Sequence, residues 1–280
     1  MRSPATADGR RRPVATAPAL GGPGGRPSDL GRAIAPPCLV AVALFSIWEG
    51  AVSISRNDLV PGPYQVVRGL AELVRKGLLL KYVVASLFRV TWGFWLAVVV
   101  GIPFGLLLGW FRSAYLAFNP LIQVLRPISP IAWIPLAILW FGISDAAPVF
   151  LIFLASVFPI VVSATAAVQN LRPVYLRAAR NFGLGGMQMF RRVILPATLP
   201  QILTGVRIAL GVAWLVVVAA EMIAVNSGLG YLIIDARNAG KRYDLVVAGM
   251  VVIGLIGLVL DLLIRRLERL EEVRWGYGPW

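Results

Sequence analysis

The sequence predicts an all-α polytopic membrane protein with about six transmembrane helices. Of the 280 residues, 58% are apolar and 14% are charged, whereas about 25% are charged in an ordinary soluble domain. Windows of about 20 apolar residues are long enough to cross a bilayer as helices, the one form that satisfies a single segment's backbone in lipid. Six such windows occur, over residues 37–54, 86–110, 118–142, 147–168, 202–224 and 245–264.

The chain before the first window is predicted to be a disordered cytoplasmic tail. Residues 1–35 are rich in Pro, Gly, Ala and Arg and lack apolar periodicity. No continuous apolar region follows the three arginines at positions 10–12 as a secretory signal would require, so the first window is expected to remain as an anchor. The membrane domain is then predicted over residues 36–270, with a short cytoplasmic tail over 271–280.

An amphipathic helix is predicted on the outer surface after the first span. Its apolar residues recur at spacings of three and four, namely Val66, Val67, Leu70, Leu73 and Val74. Two roles stay open for this helix, namely shielding the bundle at the interface and contacting an external protein.

The third window is predicted to be a kinked or broken helix. It contains Pro120, Pro127, Pro130 and Pro135, each of which lacks a backbone donor and clashes with the preceding turn. Such breaks persist in membranes where they are buried in protein or line a cavity.

The distribution of basic residues predicts that both termini are cytoplasmic. With that orientation, sixteen Lys and Arg residues lie inside and eight outside. The same rule accounts for most of the net charge of +14, so we predict no nucleic-acid partner. Residues 172–200, which carry five arginines and no acid, are then a cytoplasmic loop.

This loop has the pattern of a short helix that could dock on a partner. Pro173 suits the first turn of a helix and Gly183 suits the left-handed position that closes one. Val174, Ala178 and Phe182 lie four residues apart on one side and would form an apolar stripe. The alternative is an ordinary connector that is basic because inner loops are basic.

The run from Leu176 to Pro196 resembles the EAA loop of ABC importer permeases. The matching residues are Arg177-Ala178-Ala179, Gly183 and Val193-Ile194-Leu195-Pro196. In that family the loop forms coupling helices that sit in a cleft of the ATPase subunit. The resemblance therefore implies a type I ABC importer permease with ATPase-coupling residues at Arg177, Ala178, Ala179, Gly183, Leu184, Ile194 and Pro196. Arg177 departs from the family's usual Glu, which leaves the role of that position open.

Further segments resemble the nitrate, sulfonate and taurine branch of these permeases. They are Leu59–Pro63, Ile134–Gly142, Phe158–Ile160 and Ala220–Met222 with Ser227–Tyr231. The resemblance covers residues from about 38 to 270. It implies import of a small anion across the bacterial cytoplasmic membrane by two copies of the chain, an ABC ATPase, expected in two copies, and an extracytoplasmic solute-binding protein. The alternative is a secondary transporter that works without an ATPase.

Ionisable residues inside predicted spans are candidates for functional contacts. Glu221, Arg89 and Arg207 lie in or at the edge of spans, and Glu221 is expected to pair with one of the two arginines. Structural pairing and contact with the solute both remain open. The end of the fifth span carries candidates for an outer gate or a seat for the binding protein, or else a plain helix end: Asn226, Ser227, Gly228 and Gly230.

The sequence offers little for chemistry of its own. There is no histidine, Cys38 is the only cysteine, and no phosphate-binding loop contains any of the three lysines. We therefore expect neither a metal site nor enzymatic activity in this chain. ATP and magnesium are expected to bind to the separate ATPase subunit, and this chain is expected to bind no cofactor.

Overall fold

The computed structural model of the chain describes residues 27–55 and 60–268. The first helix, α1 (Pro27–Ser55), belongs to a unit separate from the rest of the chain and is described by itself. Residues 27–35, predicted as tail, form its first turns, because Pro27 suits the start of a helix that continues into the apolar segment. The rest of that predicted tail and the tail over 271–280 lie outside the described residues.

Ten α-helices follow α1 in the described part of the chain. A 3₁₀ turn (Pro130–Trp133) precedes α5, and a π-helical segment (Phe190–Ile194) joins α8 to α9. The helices are α2 (Pro63–Arg75), α3 (Leu78–Trp110), α4 (Arg112–Leu125), α5 (Ile134–Phe141), α6 (Ala146–Gln169), α7 (Pro173–Asn181), α8 (Gly186–Met189), α9 (Leu195–Ala224), α10 (Leu229–Gly240) and α11 (Tyr243–Glu268).

Helices matching five of the six predicted windows are long and apolar enough to cross a membrane. Four single helices within the described residues meet this condition, and a bent pair meets it as a fifth when its two helices are counted as one span. The pair consists of α4 and the segment Pro130–Phe141, which meet at 84°, so the predicted break in the third window is confirmed. The first window corresponds to a shorter apolar stretch, Leu39–Ile54, so the count of six is not reached.

The most extensive helix packing joins α3 to α6, through a stripe of small residues. Added to Gly105, a Cβ atom would lie 2.6 Å from the Cβ atom of Ala164 and from the carbonyl oxygen of Val161. Small residues let two backbones approach closely in a membrane, where apolar burial alone does not hold helices together. The stripe repeats every four residues of α3, at Gly93, Ala97, Gly101, Gly105 and Gly109.

Helix α9 packs on another side of α6, and α11 packs on α9. Gly205 of α9 lies against the side chain of Ser163, where a Cβ atom would collide with it. Trp214 of α9 donates a hydrogen bond from Nε1 to the carbonyl oxygen of Ile253 in α11, at 3.1 Å. Helices α3, α6 and α9 therefore form the centre of the bundle.

The predicted amphipathic helix is α2, and it packs on α3 and α11. Val66 and Leu73 are buried, whereas Val67 and Val74 are mostly exposed, so the buried stripe is narrower than predicted. Glu72 accepts a hydrogen bond from Arg242 Nη2 at 2.6 Å. Hydrogen bonds from Arg242 and, to a smaller extent, from Lys76 lower the pKa of the Glu72 carboxyl to about 2. This pairing ties α2 to the turn between α10 and α11.

Two features after α6 differ from the sequence analysis. The chain is continuously helical from Gly186 to Ala224, so residues 186–200 extend the fifth span where a loop was expected to continue to residue 200. Helix α10 was not predicted at all. Its apolar residues Leu229, Leu232 and Ala236 recur at spacings of three and four, and this pattern in the sequence could have revealed the helix. All three are buried.

Candidate functional site

Helix α7 has the ends that the sequence predicts. It begins at Pro173, and Gly183 adopts a left-handed conformation with φ of +75°. The Leu184 N–H donates to the carbonyl oxygen of Ala179 at 3.0 Å, and the Gly183 N–H donates to that of Arg180 at 2.9 Å. These two bonds form a Schellman motif, which stops the helix at a defined residue.

One side of α7 is presented to solvent. The apolar residues predicted to form a stripe, Val174, Ala178 and Phe182, are exposed, and 85% of Phe182 is accessible. Arg177 and Arg180 are also exposed, on other sides of this short helix. We call the exposed surface that these five residues form the α7 face. An exposed aromatic residue flanked by arginines has the composition of a protein-binding surface.

Two residues predicted to contact a partner are buried inside the chain itself. Ala179 is 4% exposed and Ile194 is fully buried, in one cluster with Met189 and Ala164. Leu184 packs against that cluster, and Pro196 is partly buried. These side chains hold α7 against the start of the fifth span, because a short helix needs tertiary contacts to persist. Arg177, Ala178 and Gly183 are the predicted coupling residues that are exposed.

A second site lies at the other end of α9, about 45 Å away by the rise of a 30-residue helix. Arg89 of α3 is 1% exposed, and Glu221 of α9 is fully buried. Arg89 Nη1 lies 2.7 Å from Glu221 Oε1. The predicted pairing of Glu221 with one of two arginines is thus made with Arg89. Burial of both charges is compensated by their contact, since either charge alone would be costly there.

All five N–H groups of Arg89 have acceptors. Besides Glu221, Nη1 donates to the carbonyl oxygen of Ser227, and Nη2 donates to Ser227 Oγ, at 2.7 and 2.6 Å. Asp145 Oδ1 accepts from Nε at 2.9 Å and from Nη2 at 2.6 Å. A guanidinium group has five donors, so Arg89 has none left for a solute. The geometry therefore favours structural pairing over direct contact with the solute.

Glu221 also fixes the turn between α9 and α10. Its Oε2 accepts from Ser86 Oγ at 2.8 Å and from the Gly230 N–H at 3.0 Å, and Ser86 Oγ in turn accepts from the Leu229 N–H at 2.9 Å. We call Ser86, Arg89, Asp145, Glu221 and Ser227 the Arg89 cluster. It joins α3, α6, α9 and α10 at the end of the bundle opposite α7.

The predicted gate residues divide between this cluster and the surface. Gly228 has φ of +107°, and a Cβ atom on it would collide with the Glu221 carboxylate. A Cβ atom on Gly230 would collide with the carbonyl oxygen of Val218. Ser227 bonds to Arg89, whereas Asn226 is exposed. Glycine is needed at both positions because the backbone approaches the Glu221 carboxylate at Gly228, and the backbone of α9 at Gly230, too closely for any side chain.

Sequence reasoning missed two members of the Arg89 cluster, and it left a second partner open for Glu221. Asp145 and Ser86 were not singled out, although an acid at the start of an apolar window, as Asp145 is, was an available signal for pairing with an intramembrane arginine. Arg207 lies about 20 Å from Glu221 along α9, and its Nε lies 2.9 Å from Asp261 Oδ1 in α11. Asp261 also contacts Arg265, at 2.7 Å. Within the part of the chain that the structure describes, no group of three potential metal ligands occurs.

The comparisons with known proteins identify the class. Residues 101–272 match the family described as the binding-protein-dependent transport system inner membrane component. The chain belongs to this family and is the multi-pass inner-membrane permease subunit of an ABC importer. This membership decides against the secondary transporter. It also confirms the resemblance on which the α7 assignment rests.

Curated relatives lie in the predicted branch. The taurine transport system permease protein TauC of Escherichia coli is 38% identical, over 81% of this chain and 84% of its own length. The nitrate import permease protein NrtB of Leptolyngbya laminosa is 35% identical, over 82% and 84%. A putative aliphatic sulfonates transport permease protein, SsuC of Bacillus subtilis, is 33% identical, over 85% and 86%.

The fold is also similar to that of solved structures. A structure of the MetNI methionine ABC transporter, in an inward-facing conformation, superposes with a TM-score of 0.61 over 69% of this chain and 95% of that chain, at 19% identity. The fold is therefore that of a type I ABC importer permease, as predicted.

Proposed function

We propose that this chain imports a small oxyanion, of the sulfonate, taurine or nitrate class, as one of two identical permease subunits. Relatives named for taurine, nitrate and aliphatic sulfonates support this class of cargo. Because one chain with this few spans cannot easily enclose a path, a symmetric pair is the economical assembly. The basic outer loops agree with an anionic cargo.

The α7 face is the proposed docking site for the ATPase subunit, which binds ATP and magnesium and is a separate chain. The observation that carries this proposal is the 85% exposure of Phe182 at the end of a helix that its own chain holds rigidly. Arg177 and Arg180 give this surface a positive charge, and α7 has no acidic residue. We expect the ATPase surface that binds the α7 face to carry acidic residues opposite Arg177. These would replace the basic partner that the family's usual Glu would need at this position.

The opposite end of the bundle is the proposed seat of the solute-binding protein. With the α7 face in the cytoplasm and the Arg89 cluster on the external side, both termini are cytoplasmic. Closure of the ATPase pair displaces α7, and the continuous helix from Gly186 to Ala224 transmits the displacement to the Arg89 cluster at the far end. Coupling requires both ends to bias the same two-state element, and this helix connects them covalently.

Substitution of Phe182 tests the docking site. Phe182→Ala should weaken association with the ATPase subunit by about 2 kcal/mol, or about thirtyfold in Kd, because a buried aromatic anchor dominates such interfaces. The affinity can be measured by titrating the ATPase subunit, purified from the source cells, against the permease in nanodiscs.

Tyr64→Ala provides the matched control, because Tyr64 is a comparably exposed aromatic residue on α2. It should leave the affinity for the ATPase unchanged within about twofold. Equal effects of the two substitutions, or full affinity of the Phe182→Ala variant, would contradict docking through the α7 face.

A further inference from the structure

Arg126 lies at the break of the bent span, at membrane depth. Helix α4 leaves the α7 end of the bundle and runs back along α3, since the rings of Phe118 and Phe104 are 5.4 Å apart. Its 14 residues place Arg126 about 20 Å from that end. The hydrocarbon core is about 30 Å thick, so an α4 that enters the membrane from the α7 end places Arg126 well inside it.

The side chain of Arg126 is exposed and makes no ion pair or hydrogen bond with the residues that the structure describes. Arg89, by contrast, has an acceptor for every donor. Intramembrane ionisable residues face a bundle interior or a water-filled cavity, and breaks in spanning helices line such cavities. We therefore expect the exposed guanidinium of Arg126 to face a polar space that the single chain leaves open.

The residues around Arg126 suit an oxyanion. Gln123 is exposed three residues earlier on the same side of α4, and its amide can donate to an oxygen. The α4 carbonyl groups at this end favour a cation at Arg126. Guanidinium groups present paired donors that match sulfonate, nitrate and phosphate-type oxygens. Both side chains can thus donate hydrogen bonds to the oxygens of a small anion.

We propose that Arg126, assisted by Gln123, binds the oxyanion cargo on the translocation path and sets the preference for anions. This inference rests on the proposed function and names the residues that contact its cargo. Arg126 is the binding residue, whereas Arg89 is structural. The second copy of the chain would supply the same pair from the other side of the path.

Uptake by the source cells tests the proposal, because all native partners are present. Chromosomal variants are compared for uptake of radiolabelled taurine, methanesulfonate and labelled nitrate, with a deletion strain as baseline. Arg126→Gln should lower uptake at least tenfold, mainly as a loss of maximal rate, because the solute-binding protein sets the apparent KM. Arg126→Lys should retain a large part of the wild-type uptake. Arg112→Gln, at the membrane edge of the same helix, should stay within twofold of wild type.

A labelling experiment separates a path-lining residue from a lipid-facing one. Cys38 is the only native cysteine, so Arg126→Cys in a Cys38→Ser background carries a single thiol. A negatively charged thiosulfonate should modify it, and the transported anion, at a concentration raised more than tenfold to offset the lost guanidinium, should slow the modification at least threefold. Modification by a positively charged thiosulfonate should partly restore uptake. The matched Arg112→Cys variant should be modified at a rate that the anion does not change.

Three outcomes contradict the inference in different ways. Chain-dependent uptake that Arg126→Gln leaves unchanged overturns the inference alone, as does a thiol at position 126 that no charged reagent reaches. The absence of chain-dependent uptake of all three anions overturns the proposed cargo class and the inference with it.

Discussion

At the end of the bundle opposite α7, the positions of individual side chains are set by charge pairing and hydrogen bonds more than by apolar packing. Arg89 and Glu221 are each nearly inaccessible, and each satisfies the charge of the other while bonding to the turn after α9. Asp145 is largely exposed, so its contact with Arg89 is screened and contributes less. The Arg89–Glu221 contact is therefore the energetic centre of the cluster.

Removing one member of the pair should be worse than removing both. Arg89→Gln should lower the free energy of unfolding by about 3–5 kcal/mol, because it leaves the Glu221 carboxylate buried without a counter-ion. The double variant with Glu221→Gln should recover part of this loss. Unfolding of the purified permease, followed by circular dichroism, gives both values.

The exposed Arg75→Gln on α2 is the control and should change stability by no more than about 0.5 kcal/mol. If the double variant is less stable than Arg89→Gln alone, the pair does not act as a unit and the account of the cluster is wrong.

At the scale of helices, the small-residue stripe of α3 sets how closely the central helices approach. Each of its glycines places backbone against α6, at distances that leave no room for a methyl group. Thr165 Oγ1 also donates to the carbonyl oxygen of Gly105, at 3.1 Å. In lipid such close packing and interhelical hydrogen bonds replace the hydrophobic effect as the source of helix association.

Gly105→Ala should therefore destabilise the bundle, even though alanine is the better helix former. We expect a loss of about 1–3 kcal/mol, because the added methyl group forces α3 and α6 apart. The midpoint of thermal unfolding should fall by several degrees.

Gly254→Ala on α11 separates packing from helix propensity. A Cβ atom at Gly254 meets nothing within 4 Å, so this substitution should leave the midpoint unchanged or raise it slightly. Equal responses at the two positions would mean that the stripe does not determine the packing.

At the scale of the whole molecule, transport requires the two ends of the bundle to lie on opposite sides of the membrane. Helix α9 alone is long enough to cross a bilayer, and it separates the α7 face from the Arg89 cluster. Membership of the family establishes the chain as the permease subunit of an importer. Its orientation in the membrane remains a prediction from the distribution of its basic residues.

Single cysteines in the Cys38→Ser background report this orientation. Gly186→Cys should react with a membrane-impermeant maleimide only after the cells are opened, because we predict that it lies on the cytoplasmic side. Asn226→Cys, which is exposed at the other end, should react in intact spheroplasts. Reversed reactivity would place the α7 face outside the cytoplasm and exclude docking of an ATPase there.

The sequence by itself determined the features that depend on local pattern. Apolar runs gave the spans, prolines gave the break in the third, and Pro173 with Gly183 gave the ends of α7, because each depends on residues a few positions apart. Tertiary structure alone decided that Glu221 meets Arg89 and not Arg207, that Asp145 joins them, and that Ala179 and Ile194 face inward. Those outcomes depend on the register in which distant helices pack, and a linear pattern shows which groups need partners without showing which ones become neighbours.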